Sequence, residues 1–124
     1  MEFRDYIEDL FECKYENVLA FDIEVFKYQS SIVFRNLDGD IVRIFTDRLN
    51  GLGQYVDEGY IQDIGYKGLK SFLEDKILIA YNNYSYDNYI LYAMMMDLGQ
   101  DVIKAWNDSI IKNTSKVNMK KVDF

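Results

Sequence analysis

Apolar and polar side chains alternate most regularly over residues 18–26, VLAFDIEVF. Leu19, Phe21, Ile23 and Val25 fall on one face of an extended chain, as a half-buried strand requires. Asp22 and Glu24 fall on the other, because residues two apart in a strand point the same way. Residues 31–37 read as a second strand, Asp38-Gly39 as a hairpin turn, and residues 41–46 as a third strand. The pattern predicts a three-strand antiparallel meander with the carboxylate strand first.

Phe3, Tyr6, Ile7, Leu10 and Phe11 recur at helical spacing, so residues 2–14 are expected to form an amphipathic helix. Residues 47–65, with glycines at 51, 53, 59 and 65, read as a loop broken by a short turn of helix. Tyr66, Leu69, Phe72 and Leu73 mark one face of a short helix ending near Asp75. The run KILIAY at 76–81 has the pattern of a strand covered on both faces. A strand, a crossover helix and a parallel strand join in a right-handed sense, which sets this strand beside the first. Residues 82–85 form a loop with Ser85 as the expected helix cap. Tyr86, Ile90, Ala93 and Met94 give the core face of the next helix, to about Leu98. Val102, Ile103, Trp106 and Ile110 predict another helix, and residues 116–124 the start of a further strand. The fold class is α/β: a mixed sheet, meander plus parallel strand, with flanking helices, cut at its C-terminus.

Composition narrows the chemistry. At 124 residues and 49% hydrophobic, the chain is long enough for one domain with a layered core. No apolar run approaches the roughly 20 residues of a membrane span, so no membrane partner is expected. The single cysteine, Cys13, allows no internal disulfide and fits a reducing cytoplasm. The absence of histidine removes His-based triads and ordinary zinc sites. Any metal would be held by oxygen, which favours magnesium, manganese or calcium. A net charge of -7 argues against a surface that coats nucleic acid, though not against a site that takes one strand end through bound cations.

Asp22 and Glu24 place two like charges side by side on a strand apolar enough for the interior of a sheet. Taken alone, the pair is also what the wet face of an edge strand looks like. A cation between them relieves the repulsion, and a second carboxylate segment supplies a further ligand. In YNNYSYDNYIL, Asp87 falls in the first turn of a helix just after the parallel strand, at the sheet edge where ligands bind. With the two strands adjacent, Asp87 is expected to approach Asp22 and Glu24.

FDIEV resembles the first motif of the DEDD, or DnaQ-like, 3′–5′ exonucleases, and Asn83-Tyr84-Ser85-Tyr86-Asp87 resembles the second, Asn-x-x-(Phe/Tyr)-Asp. Asn82 offers the alternative phase Asn-x-x-x-Tyr-Asp. The wording is most similar to the proofreading domain of phage-type family B DNA polymerases, over residues 18–98. The resemblance implies a ribonuclease H-like fold and hydrolysis of the 3′-terminal phosphodiester of single-stranded DNA. Two Mg2+ or Mn2+ ions, roughly 3.5–4 Å apart, would serve it. It implies that Asp22 bridges both ions, Glu24 ligates one and Asp87 holds the other, while Asn83, Tyr86 or Asn82 contacts the terminal nucleotide. Its partners would be a DNA 3′ end and the rest of a polymerase chain, in a phage or prophage protein of the bacterial cytoplasm.

The family's third motif, Tyr-x-x-x-Asp or His-x-x-x-Asp, has no counterpart: no tyrosine follows Tyr92, which has Met96 four residues on. The expectation is therefore an incomplete domain, nearly inactive by itself, from the N-terminal part of a longer polymerase. Two alternatives remain. A catalytically dead ribonuclease H-like module would bind DNA ends or a protein partner without cutting. A haloacid dehalogenase-type phosphotransferase also sets an acid on its first strand, but there the second acid is an aspartate and no meander follows.

Overall fold

A computed structural model describes residues 2–48, 54–57, 59–80 and 84–116, with side chains over 2–48, 59–79 and 88–111. The chain begins with helix α1 (Phe3–Phe11) and a 3-10 turn at Tyr15–Asn17. Strands β1 (Val18–Val25), β2 (Gln29–Asn36) and β3 (Ile41–Arg48) follow as the expected antiparallel meander. Then come β4 (Gln54–Asp57), β5 (Tyr60–Ile64), α2 (Leu69–Leu73), β6 (Ile77–Ala80), α3 (Tyr84–Met95) and α4 (Gln100–Lys116). The six strands form one mixed sheet in the order β4-β5-β3-β2-β1-β6. The carboxylate strand β1 is interior, antiparallel to β2 and parallel to β6, as its sequence setting requires.

One face of the sheet carries the main core. Leu19, Phe21 and Ile23 of β1, Ile32 and Phe34 of β2, and Phe45 of β3 pack with Leu69 of α2, with Ile90, Leu91, Ala93 and Met94 of α3, and with Ile103 of α4. The period of two in the strands and of three to four in the helices is therefore the pattern of this single interface. On the opposite face, α1 covers only the start of β1 and β6, through Ile7, Phe11, Tyr15, Val18 and Ile77. Beyond that end the face lies open among the described residues.

Three local expectations change. Residues 54–64 are not a loop with a turn of helix but a two-stranded hairpin, whose second strand pairs parallel to β3. The turn uses Gly59 at φ +88°, a conformation glycine adopts at no steric cost. Strand β6 is not covered on both faces: among the described residues it is the edge strand next to β1, and Ile79 is 38% exposed on the open face. Ser85 lies inside α3 rather than at its cap, since the helix begins at Tyr84. Of the expected strand start at 116–124, Lys116 ends α4 instead, and 117–124 lie outside the described residues. Among those described, no helix is long and apolar enough to cross a membrane.

Candidate functional site

The alternation in β1 places Ala20, Asp22 and Glu24 on the open face, the reverse of the one that α3 and α4 cover. Register sets their neighbours: Ala20 lies opposite Arg35, Asp22 opposite Val33, and Glu24 opposite Ser31. Both carboxylates are exposed. Neither has an ion-pair or hydrogen-bond partner among the described residues. Two like charges left uncompensated on one strand face make an oxygen-only donor set, the chemistry of a hard divalent cation.

Asp22 also lines a depression of about 240 Å³ with Ala20, Phe21, Val33 and Arg35. Arg35 had no place in the sequence argument. Its only signal was position, two residues after Val33 in the alternation of β2, and pairing with β1 was needed to bring it near Asp22.

The second motif is located by its backbone. Ala80 at the end of β6 pairs with Phe21, one residue short of Asp22, and α3 begins at Tyr84. The chain thus leaves the sheet level with the carboxylate pair. Tyr86 and Asp87 belong to the first turn of α3, but their side chains, like residues Asn82 and Asn83 entirely, lie outside the described residues. The body of α3 packs on the face opposite Asp22 and Glu24. Among the described residues, no three Asp, Glu, Cys or His side chains cluster as metal ligands.

A second polar group sits close to Glu24 along the ladder but on the core face, since Ser30 pairs with Val25. Ser30, fully buried, shares a 2.6 Å hydrogen bond with the hydroxyl of buried Tyr66. Burial pushes the Tyr66 phenol far above its ordinary range. Thr46 Oγ1 donates to the Ser30 carbonyl at 3.0 Å. Opposite Ser30 lies Asp47, whose carboxyl is raised by burial first and by the charge of Asp97, against a lowering hydrogen bond from the Arg48 backbone N–H. A carboxyl raised in the folded state favours the fold while protonated. Its contribution is full below the ordinary carboxylate pKa and is lost as pH rises through the folded value. Asp47→Asn is therefore expected to raise the melting temperature at pH 7 by about 1–2 °C, a small gain because the group is only partly buried. At pH 3 the two proteins should melt together. An equal gain at both values would show that the Asp47 charge is not its source.

No family model matches the chain, and no curated protein or solved structure matches it significantly.

Proposed function

We propose that the chain carries the first two motifs of a ribonuclease H-like 3′–5′ exonuclease domain, the proofreading part of a family B DNA polymerase acting on single-stranded DNA 3′ ends. The observation that supports this reading best is the setting of Asp22 and Glu24. They are two carboxylates without a partner among the described residues, on one face of an interior strand between antiparallel β2 and parallel β6, with α3 starting at Tyr84 after β6. The mixed sheet with flanking helices is compatible with a ribonuclease H-like fold. In this reading Asp22, Glu24 and Asp87 hold the cations, and Asn83, Tyr86 or Asn82 orients the last nucleotide. The chemistry supplied by two bound Mg2+ or Mn2+ ions is Lewis acidity at the scissile phosphate. A site short of the third-motif carboxylate and tyrosine loses ~4 kcal/mol of transition-state stabilisation, about a thousandfold in rate. That loss equally favours the second reading, a module that binds a strand end without cutting it.

Thermal melting tests the site without needing turnover. Millimolar Mn2+ should stabilise the wild type by about 1–2 kcal/mol, since only the folded state brings the ligands together. Asp22→Ala removes one of two like charges, so it should melt slightly higher than wild type without metal and gain nothing from Mn2+. If Mn2+ raised both melting points equally, β1 would not be the metal site and the proposal would lose its physical support.

A further inference from the structure

The open face of β1 and β2 joins opposite charges that do not neutralise each other. Arg35 is diagonal to Asp22 across the β1–β2 ladder, about 7–8 Å away between Cα atoms. That distance is within reach of a side chain as long as arginine, yet no Asp22–Arg35 ion pair forms. Arg35 Nη1 donates instead to the Gly39 carbonyl at 3.1 Å. The turn that presents this carbonyl is itself tied down. Asn36 Oδ1 accepts from the backbone N–H groups of Asp38 and Asp40, both at 3.0 Å, and the Asn36 carbonyl accepts from Gly39 N–H at 3.0 Å. Gly39 holds φ +91°, a conformation other residues adopt only with strain.

Arg35 lines the same depression as Asp22, and its guanidinium is held through one nitrogen by the Gly39 carbonyl. A guanidinium has five N–H donors in a planar fork suited to phosphate. Ala20 and Val33 give the depression an apolar floor, and its volume is about 240 Å³.

We propose that Arg35 is a phosphate-binding residue of this site, taking a second phosphate of a strand whose terminal phosphate lies at Asp22 and Glu24. The inference rests on the exonuclease reading and adds to it the point at which the protein grips the strand away from the reacting end. Arg35 acts there by positioning, and no part of the chemistry is assigned to it.

The test is binding of a fluorescent four-nucleotide oligothymidylate in Mn2+, followed by anisotropy from 25 to about 200 mM salt. Arg35→Gln should bind about tenfold more weakly. The slope of log K against log salt should become shallower by about 0.7, the share of one single-strand phosphate. Arg35→Lys, which keeps the charge but loses the fork, should retain the slope and lose part of the affinity. Both variants should keep the Mn2+ melting shift of wild type, since neither touches the carboxylates. Wild-type affinity and slope in Arg35→Gln would overturn the inference, as would failure of the wild type to bind the oligonucleotide. A loss of affinity accompanied by loss of the Mn2+ shift would also overturn it, by assigning Arg35 to the fold. If the wild type itself shows no Mn2+ shift, the exonuclease reading fails. If that shift is present and Arg35→Gln is silent, only the phosphate contact fails.

Discussion

Phe34→Ala is expected to cost about 3–5 kcal/mol, the range for truncating a fully buried aromatic side chain. Phe34 has no exposed surface and lies in β2, the middle strand of the meander. Its ring centroid lies 5.1 Å from that of Phe72, 6.1 Å from that of Phe45 in an edge-to-face arrangement, and 6.4 Å from that of Phe21. Truncation opens a cavity where β1, β2, β3 and α2 meet. That loss is a large part of the roughly 5–15 kcal/mol that stabilises a domain of ordinary size. Urea unfolding measures it, with Phe26→Ala as reference, since Phe26 is 58% exposed. A Phe34→Ala cost no larger than that of Phe26→Ala would mean the core is not built around this ring.

Asp63→Ala should cost about 2–4 kcal/mol, for a different reason. Arg43 Nε donates to Asp63 Oδ2 at 2.7 Å, and the two side chains are only 20% and 13% exposed. The guanidinium carbon also lies 4.8 Å from the Phe45 ring centre and 5.0 Å from that of Phe72. Removing the carboxylate leaves a mostly buried cation with only ring faces for company, which offset part of the loss. The pair itself need not be worth that much: replacing both partners, as Arg43→Met with Asp63→Leu, should recover most of the stability. A double variant as unstable as Asp63→Ala would refute that account.

This pair also explains where the sequence misled. Residues 60–64 carry a carboxylate on the side of the sheet that packs against α2, because its partner waits on β3. Read alone, Asp63 and the surrounding glycines say loop. Parallel pairing of β5 with β3 depends on a contact between distant residues, and no local period encodes it. The meander was legible because Asp38-Gly39 and strict alternation are both local signals. The same holds for β6, an unbroken apolar run, although its edge position depended on what lies beyond it in space. At the site, Asp22 and Glu24 could be read from the two-residue period. Arg35 could not, since its nearness to Asp22 is a matter of register across the hairpin.

The parallel ladder between β1 and β6 has a consequence for how the molecule comes together. Val18 pairs with Ile77, and everything from β2 to α2 lies in the loop that this contact closes. The hairpins β1–β2 and β2–β3 close short loops, so on entropic grounds they form first, and the β1–β6 pairing follows. Until then one edge of the carboxylate strand is an open template for another chain, flanked by apolar side chains. A chain released from the ribosome before Ile77 would carry Asp22 and Glu24 in place, yet would be prone to aggregate through the edge that β6 closes.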